Sequence, residues 1–96
     1  MILHILTKAP YSSVAQQMQQ AIGEADAVLL VEEGVTAALS PSWTAWKAYH
    51  SRIYILAEDL LARGLNGIAE ANELPVIGMD EFVTLTEKYA QTVTWY

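Results

Sequence analysis

The chain has 96 residues, an apolar fraction of 53% and a net charge of −6, which together predict a single globular domain, residues 1–96. Its five cationic side chains are scattered, whereas proteins that bind nucleic acid cluster lysine and arginine against the phosphates. The composition therefore argues against direct nucleic-acid binding by this chain. Cysteine is absent, which excludes a disulfide framework, a thiolate zinc site, a cysteine nucleophile and a persulfide carried on this chain.

No membrane segment or export signal is predicted. No stretch of the sequence reaches the ~20 consecutive apolar residues that span a bilayer. The opening segment, Met1 to Leu6, lacks the basic region and the small-residue cleavage site of a signal peptide. We therefore expect this segment to be folded structure and the protein to be cytoplasmic.

Five short runs that are rich in apolar and β-branched residues predict strands. The second run is continuously apolar and bounded by acids, which is typical of a central parallel strand. The third run is rich in residues that favour β-structure. In chain order the predicted strands are Ile2–Leu6, Ala27–Val31, Arg52–Ala57, a short one at Val76-Ile77, and Thr92–Tyr96.

Helix signals separate these strands. Ser13 and Gln16 have the spacing of a capping box, and apolar residues then follow on one helical face until Gly23. Ser40 followed by Pro41 is the pattern of another helix start. Asp59 and Asp80 are predicted to cap two later helices, with a short helical turn at 35–39 and a looser stretch at 66–72.

Alternation of strands and helices at this spacing predicts βαβ units with right-handed crossovers. The expected fold class is α/β: a single Rossmann-like domain with a mostly parallel sheet of four to five strands and helices on both faces.

Acidic residues are predicted to gather at the carboxyl ends of the strands, where open α/β sheets bind their ligands. They are Glu32, Glu33, Glu58, Asp59 and Asp80, beside the single cation Lys8. This negative charge disfavours a phosphate site, although a flavin or nucleotide site on the loop at 7–13 stays open as an alternative. Glu32 and Glu33 are adjacent on a strand end, which would point them to opposite sides, and helix capping explains Glu58 and Asp59.

No nucleophile motif or metal motif is recognisable, so no catalytic, cofactor-binding or metal-ligating residue is predicted. Asp59 and Arg63, four residues apart, could form a helix ion pair that accounts for their spacing without a function.

Trp43, Trp46, Trp95 and Tyr96 present a large aromatic surface for a domain of this size. Tryptophan and tyrosine are enriched at protein interfaces, where the ring is buried and the polar tip stays hydrated. Core and interface roles are equally open for Trp43 and Trp46, whereas Trp95 and Tyr96 favour an interface. His4, within the first strand, is predicted to line a sheet face or a subunit contact rather than to act as a base.

Four segments carry a resemblance to a known family. They are Leu3-His4 through Lys8-Ala9-Pro10, then Val28 through Ala38, Ile53 through Leu65, and Asp80 through Thr86 with the chain ending near Trp95. The most specific parts are Glu-Glu-Gly-Val-x-Ala-Ala at 32–38 and Glu-Asp-Leu-x-Ala-Arg-Gly-Leu at 58–65. In this order the segments resemble the TusB/DsrH family of sulfur-relay subunits, and the motif positions are Glu33, Gly34, Asp59, Arg63 and Gly64.

The resemblance implies a DsrE-like fold and a heterohexamer with two copies each of TusB-like, TusC-like and TusD-like chains. In the Tus branch it implies that sulfur passes as a persulfide from a cysteine desulfurase through a TusA-like carrier, this complex and a TusE-like carrier. The final acceptor implied is the enzyme that 2-thiolates the tRNA wobble uridine. In the DsrH branch the relay serves sulfur oxidation.

The sequence departs from the DsrH branch at one position. DsrH-type chains of sulfur oxidisers carry a cysteine in the first helix, where this chain has Gln17, Met18 and Gln19. A thioether cannot form a persulfide because the reaction requires a thiolate. The leading hypothesis is therefore a non-catalytic structural subunit of the tRNA-thiolation relay, without a cofactor. The alternatives are a stand-alone small-ligand or nucleotide-binding module and a DsrH-like subunit of sulfur oxidation.

Overall fold

The computed structural model describes residues 1–96 as an α/β fold in which a five-stranded sheet is parallel throughout. The strands are β1 Ile2–Leu6, β2 Ala27–Leu30, β3 Ile53–Leu56, β4 Val76–Ile77 and β5 Gln91–Trp95. Their order across the sheet is β4-β3-β2-β1-β5, so β1 lies between β2 and the C-terminal strand. The predicted fold class is confirmed, and every predicted strand is present to within one residue at either end.

Helices cover the two faces of the sheet unequally. They are α1 Ser13–Ala21, a 3-10 helix at Glu32–Leu39, α2 Thr44–Ala48, α3 Ala57–Ala62, α4 Asn66–Ala71 and α5 Met79–Lys88. α1 to α4 and the 3-10 helix contribute residues to one apolar cluster, and α5 alone covers the other. None of these helices is long and apolar enough to cross a membrane.

The strands supply side chains to both apolar clusters. Leu6, Leu30 and Ile55 lie in the first cluster, whereas Leu3 and Leu29 lie in the second. Successive side chains of a strand point to opposite faces, so burial on both faces requires a continuous apolar sequence. This requirement explains why the central strands could be recognised from their unbroken apolar runs.

The start and end of α1 differ from prediction. Ser12, one residue before the predicted cap, accepts the hydrogen bond from Ala15 N at 3.1 Å, so no capping box forms between Ser13 and Gln16. Gly23 does not supply a left-handed helix stop, because its φ is not positive. Its backbone N–H instead donates to Asp26 Oδ2 at 2.9 Å.

Ser40 and Pro41 do not begin a helix. Ser40 N donates to Ala37 O, and Ser40 O accepts from Trp43 N, both at 3.0 Å. Because these bonds close a turn after the 3-10 helix, α2 starts only at Thr44. The stretch at 66–72 is not loose either: it forms α4, whose C-terminal carbonyl of Ile68 accepts from the Asn72 side chain at 2.9 Å.

The two predicted aspartate caps are also wrong. α3 begins directly after β3, which places Asp59 inside its first turn rather than before it. Gly78 precedes α5, so Asp80 also lies inside the first turn, and Glu81 accepts the Gly78 N–H at 3.2 Å. In both places the carboxylate near the helix start still interacts favourably with the positive end of the helix dipole.

Candidate functional site

A buried polar network joins β1 to its two neighbouring strands. His4 Nε2 lies 2.9 Å from Asp26 Oδ2, and Trp95 Nε1 donates to His4 Nδ1 at 3.1 Å. Since an indole N–H can only donate, Nδ1 is the acceptor and Nε2 carries the proton that Asp26 accepts. The imidazole is therefore held as one neutral tautomer between a carboxylate and an indole, with only 2% of His4 exposed.

Asp26 accepts more hydrogen bonds than any other side chain of this network. Ile2 N donates to Oδ1 and Gly23 N donates to Oδ2, both at 2.9 Å, in addition to the bond from His4. Burial raises the pKa of Asp26, but the hydrogen bonds from His4, Gly23 and Ile2 lower it by a larger amount. The pKa therefore falls from 3.8 to about 2. Asp26 is consequently a carboxylate at neutral pH.

The network ties three strands together at points distant in sequence. Asp26 immediately precedes β2, His4 lies in the middle of β1, and Trp95 ends β5. Thr7 adds two bonds, since its N and its Oγ1 both donate to Trp95 O at 3.1 and 3.0 Å. These bonds link β1 to the start of β2 on one side and to the end of β5 on the other.

This Asp-His pair lacks what catalysis would require. The unprotonated imidazole nitrogen, Nδ1, already accepts a hydrogen bond from Trp95. Neither His4 nor Asp26 lines any cavity of the structure. General-base chemistry needs a nitrogen within hydrogen-bond reach of a substrate. The structure accordingly gives His4 a packing role inside the chain and leaves no part of its ring available for a subunit contact.

The acids at the carboxyl ends form a second, exposed network. Glu32 N donates to Asp59 Oδ2 at 2.6 Å, and Met79 N donates to Glu58 Oε2 at 3.3 Å. The two carboxylates of α3 thus bind the first amides of the 3-10 helix and of α5 rather than capping their own helix. Glu32 and Glu33 lie in the first turn of the 3-10 helix and not on a strand end. No group of three or more His, Asp or Glu side chains is arranged to hold a metal ion.

Two glycines of the candidate motifs have steric reasons for their identity. A Cβ on Gly34 would lie 2.4 Å from Leu6 O, so the backbone of the 3-10 helix can approach β1 only without a side chain. Gly64 has a φ of +69°, the left-handed conformation that ends α3.

The predicted Asp59–Arg63 ion pair is not formed. Asp59 is bonded to the Glu32 amide, and no lysine or arginine side chain forms an ion pair with a carboxylate in the structure. Arg63 is exposed, as is Glu33. Both side chains are therefore free to contact another molecule.

Three shallow cavities of about 430–450 Å³ lie away from the carboxyl-end acids. The first lies between α3, α4 and β4, the second below the amino ends of β3 and β4, and the third on α2. Lys8, Glu32, Glu33 and Asp80 line none of them. The first cavity reaches this edge only at Ala57, directly after β3, and none of the cavities is enclosed by the acids of the carboxyl ends.

The aromatic residues divide between interior and surface. Trp43 is buried and packs edge-on against Trp46, with ring centroids 6.0 Å apart, while Trp46 Nε1 donates to Ser40 O at 3.1 Å. Trp95 is half-buried against His4, and Tyr96 is 82% exposed. An interface role thus stays a prediction for Tyr96 and for the exposed parts of Trp46 and Trp95.

Comparison with known proteins points to one family. The family described as DsrH like protein matches residues 8–92. Protein TusB of Escherichia coli (strain K12) and Protein TusB of Shigella boydii serotype 18 are each 32% identical over 96 residues, which cover 98% of this chain and 100% of the relative. The chain belongs to the TusB/DsrH family.

Of the TusB/DsrH motif residues, Glu33, Gly34 and Asp59 lie at the carboxyl end of the sheet in this structure. Gly34 and Asp59 meet there through the start of the 3-10 helix, while Arg63 and Gly64 end α3 close by in sequence. In α1, Met18 is fully buried in the apolar core, while Gln17 is exposed. The first helix of this TusB/DsrH chain therefore offers a core thioether and amides, but no thiol.

Sequence reasoning missed Asp26 and Arg52. Arg52 donates to the carbonyls of Gly23 and Asp26, at 3.0 and 2.6 Å, and its guanidinium lies over the Tyr49 ring. The sequence does contain a signal for Asp26: it directly precedes a fully apolar strand. A carboxylate buried at such a position needs hydrogen-bond donors from neighbouring elements. His4 in the neighbouring strand supplies the side-chain donor to the Asp26 carboxylate, and Arg52 donates to the Asp26 carbonyl.

Proposed function

We propose that this chain is a non-catalytic structural subunit of the sulfur-relay complex that serves 2-thiolation of the tRNA wobble uridine. The observation that carries the proposal is membership of the TusB/DsrH family in a chain with no cysteine. Persulfide transfer requires a thiolate, so the sulfur must travel on cysteines of other chains. The partners are a TusC-like and a TusD-like chain in a heterohexamer with two copies of each subunit, which exchanges sulfur with TusA-like and TusE-like carriers.

The interior of the chain supports a scaffold role. Every buried side-chain nitrogen and oxygen has a hydrogen-bond partner, so no polar side-chain atom in the core is left unpaired for a ligand to bind. The one histidine–carboxylate pair is closed by Trp95. The interior therefore offers no unpaired polar side-chain group for a reaction.

The surface supports association with other proteins. Contiguous exposed apolar surface is typical of interfaces, and Met79 and Val83 are exposed one turn apart on α5. Other large apolar side chains are exposed singly: Leu39, Leu61, Val93 and Tyr96.

The two alternatives draw less support. Nucleotide or small-ligand binding needs a pocket between the carboxyl ends of the strands, and only the first cavity reaches such an end, at Ala57 after β3. A DsrH-like role in sulfur oxidation would have to proceed without the cysteine of the first helix, where this chain has the buried Met18.

Native mass spectrometry tests the proposal directly. The chain is measured alone and after co-expression with its TusC-like and TusD-like neighbours, and we expect a heterohexamer that contains two copies of it. A chain that binds neither the TusC-like nor the TusD-like chain would contradict the proposal.

A persulfide-transfer assay tests the non-catalytic part. A labelled persulfide donor should load the complex but leave the isolated chain unlabelled. The matched control replaces the candidate carrier cysteine of the TusD-like chain by serine, which should abolish loading while the complex still assembles. Labelling of the isolated chain would contradict the proposed role.

A further inference from the structure

The two edges of the sheet differ in how well they are protected against pairing with another strand. The edge strand β4 has two residues and follows Pro75, while the opposite edge strand β5 has five residues, all paired along β1. Natural edge strands are usually blunted by charge, proline, a bulge or shortness. β5 has none of these features: its sequence from Gln91 to Trp95 is uncharged and rich in β-branched residues.

The unpaired backbone groups of β5 can be assigned. Trp95 O accepts from Thr7 N, so the backbone of Trp95 faces β1. The N–H and C=O of one residue point to the same side of a strand, and this side alternates along the chain. Val93 therefore also faces β1, whereas the backbone groups of Thr92 and Thr94 face outward. No turn or loop of the chain bonds to either threonine.

The outward edge is complementary to itself. Thr92-Val93-Thr94 has the same sequence in both directions. In an antiparallel pair centred on Val93, Thr92 lies opposite Thr94 of the second copy. These are the residues whose N–H and C=O are free, so they form the hydrogen-bonded pairs, and the two Val93 residues form the non-hydrogen-bonded pair between them.

Side-chain chemistry favours the same register. Opposed threonines are stabilising cross-strand pairs, whereas opposed like charges are destabilising, and β5 carries no charge. The two Val93 side chains, each 37% exposed, cover one another on the α1 side of the sheet.

We propose that β5 pairs antiparallel with β5 of a second copy of this chain, across a two-fold axis at Val93. The pairing joins two five-stranded sheets into one of ten strands. It deepens the proposed function in one respect: the assembly proposed there holds two copies of this chain, and β5 is where they meet. The pairing is nevertheless a property of the chain itself, so the two proposals can fail separately.

Disulfide cross-linking tests the pairing, because the chain has no cysteine of its own. In V93C the two cysteines occupy a non-hydrogen-bonded pair with Cα atoms ~4.5 Å apart, within the ~4.4–6.8 Å that a disulfide spans. The matched control is V76C, at a valine of the other edge strand that is 40% exposed against 37% for Val93. We expect V93C to form the homodimer about tenfold faster than V76C, because pairing raises the effective concentration of the two thiols.

A proline substitution provides an independent test. T94P removes an outward N–H without touching the bonds to β1, and proline is tolerated at such edge positions. T94V keeps the donor and serves as the control. We expect T94P, but not T94V, to lose self-association in native mass spectra while its circular dichroism stays that of the parent.

The outcomes separate the two proposals. Equal cross-linking of V93C and V76C, or a mixed disulfide between V93C and a partner chain in the complex, would overturn the pairing. A heterohexamer without a cross-link between the two V93C chains would overturn the pairing and leave the proposed function standing. A V93C homodimer that ignores TusC-like and TusD-like chains would support the pairing and overturn the function.

Discussion

The chain holds two hydrogen-bonded networks of similar size that differ in their exposure to water. The first joins Asp26, His4 and Trp95 in the interior, and the second joins Asp59 and Glu58 to backbone amides at the exposed carboxyl end. A buried polar group that loses its partner stays desolvated, whereas an exposed one turns to water. The same kind of bond should therefore matter much more to stability in the first network than in the second.

The largest effect is expected from removing the Asp26 carboxylate. D26A leaves the amides of Ile2 and Gly23 and the imidazole of His4 without their acceptor. Each of these three donors that stays buried without an acceptor costs about 1–3 kcal/mol of the free energy of unfolding. Urea denaturation measures the change. The control D26N keeps the shape and one acceptor oxygen and should lose less; an unchanged midpoint for D26A would show that the network does not hold the strands.

Acidification should remove part of the same contribution without a mutation. The pKa of Asp26 is about 2 in the folded chain against 3.8 unfolded. A lowered folded pKa stabilises the fold above the unfolded pKa, and this stabilisation is lost as the pH falls from ~4 through ~2, by about 2 kcal/mol. Chemical denaturation at several pH values measures the slope, which D26N should flatten. Equal slopes for parent and D26N would contradict the assignment.

A smaller effect is expected at the other end of the network. W95F keeps a ring at the end of β5 but removes the N–H that His4 Nδ1 accepts. One unsatisfied buried acceptor costs about 1–3 kcal/mol. W46F is the matched control, since its indole N–H binds a carbonyl nearer the surface. Thermal unfolding of the two variants should rank W95F as the less stable. The reverse order would show that the hydrogen bond from Trp95 to His4 does not stabilise β5.

The smallest effect is expected in the exposed network. D59A removes the acceptor of the Glu32 amide, a bond between groups that water can reach. The expected loss is ~0.5–1 kcal/mol, the ordinary net contribution of a hydrogen bond. Native mass spectrometry of the complex co-expressed with D59A is the second measurement, and it records whether this variant still assembles. A stability loss as large as that of D26A would remove the distinction between the two networks.

The sequence was most informative where one physical requirement dominates. Strands buried on both faces need unbroken apolar runs, so β2 and β3 were located to within a residue at each end. Helix starts were less certain, because Ser12 and Ser13 are equivalent in sequence and tertiary bonds decide between them. α4 was missed since Asn66 and Gly67 are poor helix formers, and its packing against the core through Ala69 overrides that preference.

The candidate site was harder to predict, because its bonds cross the sheet. The pairing of Asp26 with His4 and of His4 with Trp95 depends on strand order, which a local pattern does not contain. The steric reason for Gly34 likewise depends on the carbonyl of Leu6 in another strand. The Glu-Glu-Gly and Arg-Gly motifs could be recognised by resemblance, whereas their physical roles could not.

The position of β5 beside β1 also bears on how the chain folds as it is made. His4 and Trp95 are 91 residues apart, and β1 lacks its second neighbour until β5 has been synthesised. At ~5–20 residues per second, ribosomes leave that side of β1 uncovered for on the order of five to twenty seconds. Contacts this distant also slow folding, since a long loop must close before they form. Until its C-terminal strand has docked, the nascent chain therefore exposes the unpaired backbone edge of β1.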